Sequence, residues 1–182
     1  VDGPRGVALA GFCSGADNAL FVASEDSRVT RVVLFDPTVH RTRGFTYRRA
    51  VRRLSSPRSW WNVISGRSLA LKLRERFSVG DDALPPGYFG LLTGSPEDTD
   101  RRVASLVSRH VPILYVLSRG AREYCNHPGQ VEESLPSGYS PDYLTVLWAE
   151  EMDHILSTEP QRRTLAQAIV DHLAPHTGDP AG

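Results

Sequence analysis

Two hydrophobic rhythms alternate along this chain. Val7 to Gly11 is a short, continuously apolar run, the pattern of a buried strand. Ala16 to Ser24 follows at helical spacing, with Ala19, Leu20 and Ala23 on one face. Arg28 to Phe35 is the next apolar run, rich in β-branched residues. It ends at Asp36-Pro37, where proline removes the donor a ladder needs. Two apolar strands joined by one helix predict a parallel unit with a right-handed crossover.

The rhythm then becomes helical, and no strand pattern occurs between Thr38 and about Pro86. Over Thr46 to Leu54 the spacing predicts a helix with Tyr47, Ala50, Val51 and Leu54 on its apolar face. Arg48, Arg49, Arg52 and Arg53 fall on the other face. Ser56-Pro57 opens a stretch with Trp60, Trp61 and Ile64, and Ser68 to Phe77 forms another with Leu69, Leu73 and Phe77. This block, about residues 38–90, is expected to be a helical cap inserted over the carboxyl end of the sheet. Asp81 to Gly94 reads as loop.

Ser95-Pro96-Glu97-Asp98 predicts a helix start: an N-cap serine, a proline in the first turn and an acid three residues on. Val103, Leu106, Val107 and His110 continue that helix as a stripe, which makes His110 a helix-end residue rather than a catalyst. Val111 to Leu117 is the third strand. An irregular stretch follows to Pro141, with a short helix expected around Gln130 to Leu135. Tyr143 to Ala149 is the fourth strand. Thr158 to Gln161 then opens a last helix whose buried face is expected to be Leu165, Ala166, Ile169, Val170 and Leu173. The expected fold is α/β: one domain over residues 1–182, three layers, and a mostly parallel sheet of about four strands with a cap insertion.

Composition adds bounds. With 182 residues the chain can bury a real core, and 40% hydrophobic with 23% charged residues is the balance of an ordinary globular domain. The formal net charge is zero, so nothing electrostatic points to nucleic acid or an anionic membrane. No apolar run reaches the ~18 residues of a membrane span, and the first residues lack the layout of a signal peptide. The two cysteines, Cys13 and Cys125, form no C-x-x-C pair, and no His/Cys spacing suits a metal. No metal and no cofactor are expected. A reactive Cys13 would be disabled by a disulfide, which favours a reducing, cytoplasmic setting.

The chemistry concentrates in Gly11-Phe12-Cys13-Ser14-Gly15, lying between the first strand and the first helix. A strand, a sharp turn flanked by glycines and a helix make the context of a nucleophile elbow, with Cys13 in the central position. Glycines two residues before and after are expected to give the turn its room. The helix N-terminus favours negative charge at the sulfur and at an oxyanion near the Ser14 amide. The blander alternative is a phosphate-binding or purely structural turn.

These residues resemble the α/β-hydrolase superfamily, specifically its C-terminal half, in the order elbow strand, helix, strand, cap, helix, strand, acid loop, strand, histidine loop, final helix. A closer resemblance is to the exosortase A system-associated hydrolases of bacteria. It lies in the elbow (Gly11, Cys13, Gly15, Ala16), in Leu34 to Pro37, in Ser56 to Trp60 through Ser65-Gly66-Arg67, and in Asp153-His154. That resemblance implies a hydrolase linked to exopolysaccharide and protein-sorting loci. The superfamily pattern also places several strands before the elbow, one of whose loops supplies a second oxyanion donor. Only a few residues precede the strand here, so an upstream half-domain, a longer chain or a second copy is expected to complete it.

Within that pattern Cys13 is the expected nucleophile and His154, after the last strand, the expected general base. Ser14 offers its backbone N–H to the oxyanion. The orienting acid stays open between Glu123, in the loop after the third strand, and Asp36, at the end of the second. Asp153 adjoins His154 in sequence, a poor geometry for orienting its ring, and is expected to shape the loop. His127 is the second-choice base, and His40, His172 and His176 read as surface residues. Trp60 and Trp61 would line an acyl pocket or pack the cap, and the arginine face would meet an anionic carrier or solvent. The expected function is hydrolysis or acyl transfer on an ester or thioester, from a small molecule or an acyl-carrier-linked substrate. The alternative is a non-catalytic, hydrolase-like binding module or a truncated fragment.

Overall fold

The computed structural model describes residues 6–55 and 94–174. Its four strands are β1 (Val7–Phe12), β2 (Val29–Phe35), β3 (Ile113–Ser118) and β4 (Leu144–Ala149). They form one sheet in the order β1-β2-β3-β4, and every neighbouring pair is parallel. Helix α1 (Ser14–Glu25) makes the first crossover. Helices α2 (Arg43–Leu54) and α3 (Pro96–Ser108) lie between β2 and β3 in sequence. A 3₁₀ turn (Arg119–Glu123) and the short α4 (Gln130–Ser134) separate β3 from β4, and α5 (Glu159–Leu173) closes the described fold.

Strand alternation splits the core into two layers. Val32, Leu34, Ile113, Tyr115 and Leu117 face one way and pack with Ala16, Leu20 and Ala23 of α1 and Val103 and Leu106 of α3. Val33, Phe35, Leu114 and Val116 face the other way, towards Leu165, Ala168 and Ile169 of α5. The result is the expected helix–sheet–helix sandwich. Strand β3 is buried along its whole length, whereas β1 stands at the sheet edge with Val7 and Phe12 exposed. The capping box starting α3 is formed as expected: Asp98 N–H donates to Ser95 Oγ at 3.1 Å, and Ser95 N–H donates to the Asp98 carboxylate at 3.1 Å.

Two helical faces differ from their sequence expectation. On α5 the inward residues are Leu165, Ala168 and Ile169, while Ala166 is exposed and Val170 and Leu173 stand 60% and 39% exposed. The helix packs on a cluster of Val33, Phe35, Leu114, Val116, Leu147 and Ala149 that meets only Leu165, Ala168 and Ile169 of its described residues, so a narrower stripe is covered. Among the described side chains of α2, which do not include Leu54, the buried one is Phe45, while Tyr47 and Val51 are exposed. Here a polar contact sets the rotation. Arg48 turns inward, with Nε on Asn126 Oδ1 at 3.0 Å and Nη1 on Glu133 Oε1 at 2.8 Å. Arg48 therefore belongs to the packed side of α2, not to its solvated face. The rest of the expected cap block, with Trp60 and Trp61, lies outside the described residues.

Candidate active site

The parallel register brings all four strand ends to one side of the sheet. Gly11 pairs with Leu34, Phe35 with Val116, and Ser118 with Ala149. The ladder runs one step past the strands: Cys13 N–H donates to Phe35 O and Asp36 N–H to Val116 O, each at 2.8 Å. Cys13 and Asp36 thus leave adjacent strand ends, the usual site of ligands in open parallel sheets. A cleft of about 420 Å³ opens there, lined by Cys13, Ser14, Asp17, Asp36, Thr38, Gly120, Tyr124 and His154.

Cys13 caps α1 at φ 55°, ψ −126°, and its carbonyl accepts from Ala16 N–H at 2.9 Å. Asp36 also has positive φ, 48°. L-residues hold such angles only where the surroundings impose them, and such strain gathers at functional sites. The strain at Cys13 points its side chain out of a turn too tight for a second side chain. A Cβ on Gly11 would lie 2.2 Å from Gly15 O and 2.5 Å from Ala16 Cα, both backbone atoms of the first turn of α1. Gly15 differs: a Cβ there meets nothing within 4 Å among the described residues. Among the described residues the room of the elbow comes from Gly11, whose missing side chain faces the first turn of α1. Gly11→Ala is therefore expected to destabilise the fold by about 3 kcal/mol or more, and Gly15→Ala by less than about 1 kcal/mol, in urea unfolding. Equal midpoints for the two variants would contradict this packing.

Distance separates the two candidate acids. His154 Nδ1 lies 2.7 Å from Asp36 Oδ2. The Asp36 side chain is fully buried and the His154 ring 41% exposed. Glu123 is exposed at the end of the 3₁₀ turn, away from the cleft lining, and its carbonyl accepts from Arg41 Nη2 at 3.4 Å. Of the two carboxylates left open by the sequence, Asp36 is the one that meets the imidazole. The reason is topological: β2 ends beside β1, and the loop after β4 folds back over both. A carboxylate oxygen accepts, so this contact favours the tautomer with its proton on Nδ1.

The remaining candidates fall into local roles. Asp153 turns into its own loop, accepting from Ile155 N–H at 3.1 Å, Ser157 N–H at 3.2 Å and the Ser157 hydroxyl. The Ser157 hydrogen bond is the main cause holding its carboxyl below the usual range. His127 accepts from Gly129 N–H at 3.0 Å, and His40 Nε2 lies 3.1 Å from Thr99 Oγ1. His110 sits past the end of α3 at φ 59°, as a helix-end residue should. Among the described residues no group of three or more His, Cys, Asp or Glu could hold a metal, and no helix is long and apolar enough to cross a membrane. Cys13 and Cys125 are both free thiols.

No family model and no curated protein matches the chain. Among solved structures it is similar to an alpha/beta hydrolase from Sphaerobacter thermophilus DSM 20745. The two are 16% identical, with 93% of this chain and 68% of that chain covered and a TM-score of 0.43. A likeness at that level says nothing of the reaction.

Several residues in and around the cleft were not singled out from the sequence. Phe12 stacks on Phe35 with centroids 4.6 Å apart, and its ring centroid lies 5.2 Å from that of His154. Asp17 is buried and accepts from Thr38 N–H at 2.9 Å and Thr38 Oγ1 at 2.7 Å, tying α1 to the loop after β2. The Tyr124 hydroxyl reaches Asp36 O at 3.4 Å, and burial, with Asp36 next, pushes its pKa well above the usual tyrosine value. The fully buried Gln130 holds the Tyr124 carbonyl at 2.7 Å and the His40 carbonyl at 3.2 Å. Except for Gln130 with Tyr124, these pairings join residues twenty or more positions apart in the chain, which periodicity cannot encode. The pattern that could have shown Phe12 is its place at the apolar end of β1, next to the nucleophile.

Proposed function

We propose that this chain is an α/β-hydrolase-type enzyme that cleaves or transfers the acyl group of an ester or thioester. The observation that carries the reading is the Asp36–His154 pair, 2.7 Å apart, lining the same cleft as the strained Cys13. His154 Nε2 takes the thiol proton as Cys13 Sγ attacks the carbonyl carbon. The Ser14 N–H, in the first turn of α1, donates to the oxygen that gains charge. Collapse of the tetrahedral species releases the alcohol or thiol with that proton and leaves an acyl-cysteine. Water or an acceptor hydroxyl then attacks it, again with His154 as base. Asp36 holds the imidazole in the required tautomer and balances its charge.

The resemblance of the elbow to exosortase A system-associated hydrolases suggests a hydrolase linked to exopolysaccharide and protein-sorting loci. Trp60 and Trp61 remain the proposed acyl-contacting residues of the cap.

Alkylation tests the reading. Burial pushes the Cys125 thiol up to about 11. At pH 8 only ~0.1% of Cys125 would be thiolate, the form that reacts. Iodoacetamide at that pH is expected to label Cys13 first, with p-nitrophenyl acetate turnover falling in step with the label, read by peptide mass spectrometry. Turnover that survives full labelling of Cys13 would overturn the mechanism. A Cys13 no more reactive than a free thiol, in a chain that turns over neither esters nor thioesters, would leave the binding-module reading in its place.

A further inference from the structure

Ser118, the last residue of β3, makes the densest set of hydrogen bonds around the candidate acid. It is 1% exposed. Its backbone N–H donates to Asp36 Oδ1 at 2.7 Å and its hydroxyl to Asp36 Oδ2 at 2.6 Å. Asp36 Oδ2 is the same oxygen that receives His154 Nδ1. The direction of the hydroxyl proton follows from its other contact. Gly120 N–H donates to Ser118 Oγ at 3.0 Å, so that lone pair is taken and the proton points to the carboxylate. One residue therefore grips both oxygens of Asp36 and leaves a single direction for the imidazole.

The two residues after Ser118 hold the other partner. Arg119 N–H donates to Met152 O at 2.9 Å, fixing the loop that carries His154. At Gly120 a Cβ would lie 3.0 Å from His154 Cβ and 3.6 Å from its Cγ, so the absence of a side chain makes room for the histidine side chain. The stretch 118–120 thus touches both members of the acid–base pair, although it lies 82 residues after Asp36.

We infer that Ser118 is a positioning residue of the catalytic acid, acting through Asp36 on the orientation of His154. The inference rests on reading Cys13, His154 and Asp36 as a catalytic triad. It assigns no contact with substrate to Ser118. A hydrogen bond from a buried hydroxyl to a carboxylate is among the stronger neutral-to-ion contacts, and its strength, if lost only in the transition state, corresponds to about 10- to 100-fold in rate.

The test uses the full chain with Ser118→Ala, Ser118→Cys and Ser118→Thr. Cysteine keeps the volume with a much weaker donor, which guards against a packing defect in the alanine variant. Thermal melts followed by circular dichroism confirm that each variant is folded. The first readout is the low-field Nδ1–H proton resonance of His154 in ¹⁵N-labelled protein, which needs no activity. The expected result is a resonance lost to solvent exchange in the alanine and cysteine variants and retained in the threonine variant. The second readout is ester turnover, with kcat lowered about 10- to 100-fold, KM unchanged and threonine restoring the rate. A resonance that persists unchanged in both donor-poor variants overturns the inference, as does a wild-type kcat in them. The two readings fail differently. If the triad reading is wrong, Cys13→Ala keeps its turnover while the resonance still reports on Ser118. If only the Ser118 inference is wrong, Cys13→Ala is inactive and Ser118→Ala is not.

Discussion

Cys13→Ala is expected to remove ester turnover almost completely, by ~10⁴-fold or more, with the fold intact. Loss of the nucleophile in a triad leaves only the rate that binding and oxyanion donors provide. The residue is half-buried at the mouth of the cleft, and the backbone contacts that shape its turn come from main-chain atoms. Alanine keeps those contacts, Cys13 N–H to Phe35 O and Ala16 N–H to Cys13 O. It also keeps the strained φ of 55°, so the melting temperature should change little. Initial rates with p-nitrophenyl acetate, beside a melt of the same preparation, decide the matter. A folded variant within tenfold of wild type would remove Cys13 from the chemistry, and with it the proposed reaction.

Asp36→Asn should lower kcat by ~10³–10⁴-fold, whereas Glu123→Gln should leave it within about twofold. The asymmetry follows from the tautomer argument. Asparagine fills the space and its oxygen can still accept from Ser118 N–H, but its amide nitrogen then stands in the place of Oδ2 and presents a donor to His154 Nδ1. The imidazole then carries its proton on Nε2, where the thiol proton has to go. The buried carboxylate also balances the imidazolium that forms when the thiol proton arrives, and a neutral amide does not. Glu123 is exposed and outside the cleft lining, so its amide changes only surface charge. Measuring both variants under the same conditions makes the comparison internal. A loss at Glu123 with full activity at Asp36 would reverse the assignment and require a different loop arrangement after β3.

Much of the fold was legible because it is written in local periodicity. Continuous apolar runs marked all four strands, and the Ser95/Asp98 capping box marked the start of α3. The elbow was legible for the same reason: Gly11, Cys13 and a helix start are neighbours in sequence. Helix rotation was less legible. The stripe expected on α5 counted every apolar residue at helical spacing, but the sheet covers only part of it. On α2 the polar residue Arg48 won the inward position because Glu133 and Asn126, some 80 residues away in sequence, provide its partners. No single-helix pattern contains that information.

The candidate site divides along the same line. The sequence by itself determined a parallel α/β sheet, the elbow with Cys13 at its centre, and a histidine placed after the last strand. Each of these depends on residues within a few positions of one another, where spacing and backbone chemistry act directly. Tertiary structure alone decided which carboxylate meets His154, which glycine makes the elbow possible, and that Ser118 grips the acid. Those outcomes depend on strand order and register, which set the ends of β1, β2 and β3 side by side. Asp36 and His154 stand 118 positions apart in the chain, and only the parallel crossovers bring them to 2.7 Å.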